Sequence, residues 1–252
     1  MLRCGLLGKK LGHSRSPEIH QLLGDYEYRL YEKPEEELRD FLLEGNWDGL
    51  NVTIPYKKTV LPFLSEISPT ARKIGSVNTL VRRGDGTLYG DNTDVDGFAA
   101  MLRYSGFSLS GKKVLILGSG GASVSVREVL LRVGANPVVI SRSGENNYEN
   151  LYKHEDAAYL VNTTPVGMFP EMDASPVDLS RLPACRGVLD IIYNPPVTKL
   201  MRQAAERGIP AVNGLYMLVA QAKRSAELFT GRAIPEERTE EIFRILLDNS
   251  PS

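Results

Sequence analysis

Short apolar runs alternate with amphipathic stretches along the whole chain, the pattern of strands interleaved with helices. Residues 2–8, LRCGLLG, read as a buried strand closed by glycine. Ser16-Pro17 reads as a helix start, with serine as N-cap, proline at the first helical position, and Ile19, Leu22 and Leu23 as the apolar face. Residues 26–30 alternate aromatic and polar as a strand, and 35–43 form an amphipathic helix with Leu38, Phe41 and Leu42 on one face. Asp48-Gly49 then turns the chain into NVTIPYK (51–57). Leu50 and Val52 share one period-2 face, Asn51 and Thr53 the other, and Pro55 forbids further central-strand pairing. Residues 59–64 read as a short helix or loop, Ser68-Pro69 as another helix start, and 77–82 and 87–89 as a hairpin around Asp85-Gly86. A polar run, GDNTD (90–94), leads into a helix from Val95.

The character changes near residues 104–111. KKVLILGSGGASVSVREVLLRVGANPVVISRS is a βαβ unit: apolar strand, glycine turn, helix, second apolar strand. Residues 144–158 are polar and short, and 159–161 form a strand running into NTTPVGM (162–168). Residues 186–192 are the next strand, 198–207 a helix closed by Gly208, and 210–213 a strand. Gly214 opens a helix in which Leu215, Leu218 and Val219 recur at helical spacing and Gln221 breaks the apolar band. Pro235 starts the last helix, with Ile242, Phe243, Leu246 and Leu247 at helical spacing. Internal repeats and low-complexity segments are absent from the sequence.

Composition narrows the class without naming a function. At 252 residues the chain is one large domain or two small ones with an ample core. A net charge of −1 leaves no electrostatic footprint for nucleic acid or an acidic membrane. No stretch approaches the roughly 20 apolar residues of a membrane span, and the first apolar run is too short for a signal sequence. Two distant cysteines, Cys4 and Cys185, read as buried thiols in a reducing compartment. The expectation is a cytoplasmic protein.

Several positions carry chemistry, and each has a plainer reading. Lys57 arrives just past a strand end, where ligands sit in open α/β sheets; it also fits a solvated surface lysine, as Lys58 does. Ser14 and Ser16 hang at a loop–helix junction suited to an anion, or simply cap it. Asp94 lies in the first turn of its helix, either as an N-cap or as a functional acid. His13 reads as structural, since the three histidines lack metal spacing. The turn Gly118-Ser119-Gly120-Gly121-Ala122 permits close backbone approach to a pyrophosphate, although Ser123 stands at the third fingerprint position. Ser141-Arg142-Ser143 ends the second strand of that unit, where an NAD site usually has an acid. Arg142 and two hydroxyls suit a 2′-phosphate and favour NADP, unless Arg142 is merely solvated.

Taken together, these motifs resemble the shikimate dehydrogenase family over essentially the whole chain. In order they are GHSRSP (12–17), GLNVTIPYKK (49–58), GSVNTL (75–80), GDNTD (90–94), GSGGAS (118–123), SRS (141–143), NTTPVGM (162–168), DIIYNPPVT (190–198) and NGLYMLVAQA (213–222). The resemblance implies that Lys57 and Asp94 are the catalytic pair and that Ser14 and Ser16 bind the substrate carboxylate, with Tyr193 near it. It implies ring-hydroxyl partners in Asn51, Thr53, Asn78 and Gln221. It implies an NADP site formed by the glycine turn, Ser141, Arg142, Ser143, Thr163, Gly214 and Met217, with Met217 lining the nicotinamide pocket. The family reduces 3-dehydroshikimate to shikimate with NADPH, on the route to chorismate and the aromatic amino acids. One departure stands out: only nineteen residues separate Arg142 from Asn162, where the family usually has a longer excursion.

The expected architecture is therefore α/β with two domains, a substrate domain over 1–103 completed by helices in 214–252, and a Rossmann-type domain over 104–213, with the site in the cleft where they meet. The expected partner is a small-molecule substrate, with no nucleic acid and no membrane, for a monomer or homodimer. Two rivals remain. One is a quinate/shikimate dehydrogenase using NAD or either cofactor; the other is a non-catalytic sensor of shikimate-like acids.

Overall fold

The computed structural model of the protein describes residues 1–12 and 14–249. His13, read above as structural, lies outside the described residues. The chain folds into two compact units, one of Met1–Gly97 and Val219–Asn249 and the other of Phe98–Leu218.

The elements of the first half are β1 (Arg3–Gly8), α1 (Ser16–Leu23), β2 (Glu27–Glu32), α2 (Leu38–Glu44), β3 (Gly49–Val52), β4 (Glu66–Ile67), α3 (Pro69–Ile74), β5 (Thr79–Arg82), β6 (Leu88–Asp91) and α4 (Asp94–Ser105). The second half follows with β7 (Lys113–Leu117), α5 (Gly121–Arg132), β8 (Asn136–Ile140), β9 (Tyr159–Asn162), β10 (Val188–Asp190), α6 (Lys199–Glu206), β11 (Ala211–Val212), α7 (Leu215–Thr230) and α8 (Glu237–Asp248).

In the first unit a six-stranded sheet runs β2-β1-β3-β5-β6-β4. Strand β1 pairs parallel with β2 and β3, whereas β3–β5 and β5–β6 are antiparallel. The carboxyl ends of β1, β3 and β6 and the amino end of β5 therefore share one edge. Leu7 lies opposite Val52, Asn51 opposite Thr79, and Thr79 opposite Asp91. Everything that leaves the sheet there — the serine loop, the lysine loop, Asn78 and the run to Asp94 — converges.

One sheet face packs Leu7, Leu50, Val52 and Leu80 against Leu38, Leu42, Trp47 and Val60. The opposite face carries Cys4 and Tyr26 against Ala226 and Phe229 of α7. The alternation in β3 thus marks two buried faces rather than one wet face, because α7 covers the polar side and Asn51 is buried. Ser68 caps α3 by accepting from the Ala71 N–H at 3.1 Å, and Gly75 ends it in the left-handed region at φ 64°. Ser16 is not the cap of α1. Arg15 precedes the helix without a side-chain cap, because Ser14 already accepts from the Ser16 N–H at 3.2 Å. Strand β4, two residues long, is too short for its period to show in the sequence.

The second unit holds a five-stranded parallel sheet ordered β11-β10-β9-β7-β8. From β7 the chain goes to β8 on one side and reaches β9 on the other, so the order reverses between β7 and β9. One face buries Leu115, Leu117, Leu160 and Val188 under Leu151, Leu179, Leu200 and Ala204. Both cysteines are free and buried. Among the described residues, no helix is long and apolar enough to cross a membrane.

Candidate active site

Lys57 follows β3 once the chain has left the sheet. Its carbonyl accepts from the Val77 N–H at 2.9 Å, and the neighbouring Tyr56 is buried with its hydroxyl donating to the Lys33 carbonyl at 2.6 Å. The backbone is thus pinned on both sides while the side chain extends to Asp94 at the start of α4. Lys57 Nζ lies 2.5 Å from Asp94 Oδ2, with side chains 18% and 10% exposed. Asn78 Nδ2 donates to the other carboxylate oxygen at 2.9 Å. The Asn78 amide can face only one way: its Oδ1 accepts from the Thr93 N–H at 2.7 Å, which leaves Nδ2 toward Asp94. Asp94 opens α4, and its carboxylate is engaged by Lys57 and Asn78.

At the same edge Ser14 is half-buried and Ser16 buried, and Ser14 Oγ donates to Ser16 Oγ at 3.1 Å. Asn51 is largely occupied: its Oδ1 accepts from the Tyr28 hydroxyl at 2.8 Å, and its Nδ2 donates to Ser225 Oγ at 2.7 Å and Thr79 Oγ1 at 3.3 Å. The buried His20 imidazole also bears on this amide. Thr53 is half-buried beside Gly8, and Gln221 is half-buried on α7 one turn before Ser225. Below them His20 is fully buried and stacks on Tyr28 at 3.9 Å between centroids. Burial pushes its imidazole down to about 3, so it is neutral. The reading of the sequence missed Tyr28, Thr79, Thr93 and Ser225; Thr79 and Thr93 stood inside motifs that had drawn notice, in GSVNTL and GDNTD, and Tyr28 and Ser225 did not.

In the second unit the glycine turn sits where the strand order reverses. Gly118 takes φ 100°, and a Cβ there would lie 2.9 Å from Thr164 Cγ2 and 3.1 Å from Thr163 Oγ1. Thr163 in turn bonds the Leu117 carbonyl through its N–H at 2.9 Å and its hydroxyl at 2.6 Å. Gly120 is the extended residue before α5, with open space where a Cβ would be. The first N–H groups of the twelve-residue α5 are served by no side-chain cap. Ser119 is exposed, and Gly121 and Ala122 are half-buried at the helix start. Ser123 explains its own departure from the fingerprint: it is buried and its hydroxyl donates to the Gly120 carbonyl at 2.6 Å. A pyrophosphate fits this cradle, by the backbone room at Gly120 and the start of a twelve-residue helix that has no side-chain cap.

Ser141 is half-buried and Arg142 and Ser143 are exposed at the end of β8. Met217 is buried on α7, Tyr193 is half-buried after β10, and Gly214 is held by its N–H to the Ile192 carbonyl at 3.0 Å. A Cβ on Gly214 would overlap the Ile191 carbonyl oxygen. Asp190 is fully buried at the end of β10 and accepts from Asn162 Nδ2 at 3.0 Å, the Ile192 N–H at 3.1 Å and Thr198 Oγ1 at 2.7 Å. Burial raises its carboxyl from 3.8 to about 6, against the lowering effect of those three donors.

A lysine–carboxylate pair in one α/β unit and a dinucleotide cradle at the switch point of the other define a nicotinamide-dependent oxidoreductase. Comparison with known proteins narrows the class. Residues 6–80 match the model of the shikimate dehydrogenase substrate binding domain, and residues 214–242 that of the shikimate 5′-dehydrogenase C-terminal domain. A Clostridium perfringens protein named shikimate dehydrogenase (NADP(+)) is 34% identical, covering 96% of this chain and 97% of that protein. The chorismate mutase/shikimate 5-dehydrogenase fusion protein from Clostridium acetobutylicum superposes with a TM-score of 0.93 at 38% identity, covering 100% of this chain and 99% of that one. Shikimate 5-dehydrogenase from Thermus thermophilus, solved in complex with NADP(H) and shikimate, gives 0.88 at 32% identity, covering 97% and 99%. The chain belongs to the shikimate dehydrogenase family.

Proposed function

We propose that the protein interconverts 3-dehydroshikimate and shikimate with NADPH and NADP⁺, within aromatic amino acid biosynthesis. The observation that carries this is the Lys57–Asp94 pair, oriented by Asn78 at the polar edge of the sheet. NADPH, when bound, supplies the hydride to the ring ketone carbon. Lys57 stabilises the negative charge that develops on the ketone oxygen and transfers its proton there, giving the ring alcohol and a neutral amine that takes a proton back from water. Asp94 holds the ammonium on target and accepts from a substrate hydroxyl. Ser14 and Ser16 hold the substrate carboxylate, with Tyr193 beside it. Asn51, Thr53, Asn78 and Gln221 meet the ring hydroxyls, with Asn78 using its second amide proton. A small polyhydroxy acid needs such a lining, because each buried polar group left unpaired costs about 1–3 kcal/mol.

Gly118, Ser119, Gly120, Gly121 and Ala122 hold the cofactor pyrophosphate, and Ser141, Arg142 and Ser143 its 2′-phosphate. Thr163 and Gly214 belong to the cofactor site, and Met217 lines the nicotinamide pocket. We place the reaction in the cytoplasm, which suits two buried free thiols, for a monomer or homodimer. The test is absorbance at the reduced-nicotinamide band with shikimate or quinate crossed against NADP⁺ or NAD⁺. Turnover concentrated on shikimate with NADP⁺ is expected, with Lys57→Ala lowering kcat by orders of magnitude and changing KM little. Comparable rates with quinate or NAD⁺ replace the proposal with a dual-specificity enzyme. Binding of shikimate without turnover in any combination replaces it with a sensor.

A further inference from the structure

We propose that Ser225 is a positioning residue that closes one buried hydrogen-bonded path between the carboxylate-binding serines and the Lys57–Asp94 pair. The proposal rests on the roles assigned above to Ser14, Ser16, Lys57 and Asp94. Ser225 lies on α7, is fully buried, and belongs to none of the motifs that signalled the site.

The path can be followed atom by atom. Ser14 donates to Ser16 at 3.1 Å, and the Ser16 hydroxyl lies beside the Tyr28 phenol. Tyr28 donates to Asn51 Oδ1 at 2.8 Å, and Asn51 Nδ2 donates to Ser225 Oγ at 2.7 Å. Ser225 Oγ lies 3.0 Å from both Thr79 Oγ1 and Thr93 Oγ1. Those two hydroxyls reach Asn78 Oδ1 at 3.1 and 3.2 Å. Asn78 Nδ2 donates to Asp94, and Asp94 holds Lys57. Ser225, Thr79, Thr93, Asn78 and Asn51 are all at most 5% exposed, so water cannot substitute for a lost link.

Proton counting makes Ser225 the junction. A hydroxyl has one proton and two lone pairs. The only pure acceptor among its described neighbours is the Gln221 carbonyl at 3.0 Å, so the proton goes there. One lone pair takes the Asn51 amide proton, and the other takes a threonine hydroxyl. The remaining threonine hydroxyl then points at Asn78 Oδ1. That fixes the Asn78 amide from the side opposite Asp94. The same oxygen also clasps the turn of α7 that carries Gln221. One side chain thereby ties α7, β3, β5 and the approach to α4 into a single proton-ordered cluster.

Replacing the hydroxyl by hydrogen leaves the Asn51 amide and one threonine hydroxyl seeking partners in a dry site. Relief comes by rotation of Thr93 and Asn78, which releases one Asp94 oxygen and lets the ion pair drift. Sub-ångström displacement of this kind penalises the transition state more than the ground state. Ser225→Ala is therefore expected to lower kcat about tenfold or more, to move the pH limb of kcat, and to leave KM for shikimate within about threefold. Thr230→Ala is the control. Thr230 makes the same one-turn-back hydroxyl bond on α7, to the Ala226 carbonyl at 2.8 Å, without joining the cluster, and its kcat stays at the wild-type level.

Should Ser225→Ala fail to fold, Ser225→Thr/Thr79→Ser keeps every hydroxyl and the total volume; it should retain kcat within about threefold. A fall in melting temperature with kcat and pH profile unchanged overturns the proposal, as does a loss confined to KM. If the wild type turns over neither acid with either cofactor, the reading of the reaction has failed, and a second measurement still decides. Reductive methylation of Lys57, followed by mass spectrometry, should run several-fold faster in Ser225→Ala than in wild type or Thr230→Ala; equal rates overturn the positioning role.

Discussion

Asp190 is the buried acid whose state the solvent should control. Its carboxyl is fully buried at the end of β10 and raised from 3.8 to about 6, with desolvation as the largest cause. The sign follows directly. Between those two values the folded chain holds a proton that the unfolded chain has lost, so stability falls as pH rises through the interval. The protonated acid contributes fully below the unfolded value, and that contribution is lost as pH passes about 6. At about 1.4 kcal/mol for each unit, the whole penalty is about 3 kcal/mol, of which roughly half develops between pH 5 and pH 7.5.

Asp190→Asn removes the titration while keeping the partners. The amide oxygen can accept from Asn162 and Ile192, and the amide nitrogen can donate to Thr198, which reverses its own proton. Trp47, the single tryptophan, belongs to the first unit, so a reporter within the second is used. The assay is hydrogen exchange by mass spectrometry on peptides covering β9 and β10, in wild type and variant at both pH values. His154 opposes the trend in wild type, since burial lowers its value and acidification works against folding. It is common to both proteins and cancels in the double difference. The variant should gain roughly 1 kcal/mol or somewhat more relative to wild type on going from pH 5 to pH 7.5. A pH-independent difference, or one of opposite sign, refutes the argument.

Ser68→Ala loses both the cap of α3 and a bond to buried Asp91 at 2.5 Å. Roughly 1–2 kcal/mol of stability should go, read as a lower urea midpoint by Trp47 fluorescence. Gly214→Ala drives a methyl into the Ile191 carbonyl. It should cost about 1–3 kcal/mol and raise KM for NADPH through displacement of the start of α7, with steady-state kinetics and thermal melting as the checks. Arg142→Ala should weaken NADPH binding far more than NADH binding by fluorescence titration, and equal losses would place the 2′-phosphate elsewhere.

The sequence reads well wherever short-range rules act alone. Strands β1, β7, β9 and β10 announce themselves as apolar runs closed by a turn signal, β3 by its alternation and Pro55, and Ser68-Pro69 sets α3 as written. Lys57 stood out because Pro55 stops a strand beside it. The pairing with Asp94, thirty-seven residues on, depends on the parallel and antiparallel order of β1, β3, β5 and β6, which no local pattern encodes. Ser16 misled as a cap because Ser14, two residues earlier, takes the N–H first. Asn51 reads as a ring-hydroxyl partner, but nothing local shows that its amide is also held by Ser225, 174 residues away on a helix whose spacing reports only an apolar face. Ser225 is a polar position on a greasy helix, the same kind of break that drew attention to Gln221. What separates the two is a set of distant hydroxyls that only the fold assembles.

The shortened stretch after β8 bears on cofactor choice for a physical reason. Strand β8 is the edge of its sheet, so a longer excursion would have to pack outside it. Here the chain closes on itself instead. Asn147 Oδ1 accepts from the Glu149 and Asn150 N–H groups at 3.0 and 3.1 Å, while Asn150 Oδ1 accepts from the Asn147 N–H at 2.9 Å. Asn146 is tied to His154 at 3.0 Å, and its carbonyl accepts from the Ser141 N–H at 3.1 Å. These bonds hold the Ser141-Arg142-Ser143 turn by its backbone and leave the Arg142 guanidinium exposed. A guanidinium over such a turn can meet a 2′-phosphate only from the solvent side, where its contribution is screened. The preference for NADP over NAD should therefore shrink as salt is raised, more steeply than the affinity for NAD itself.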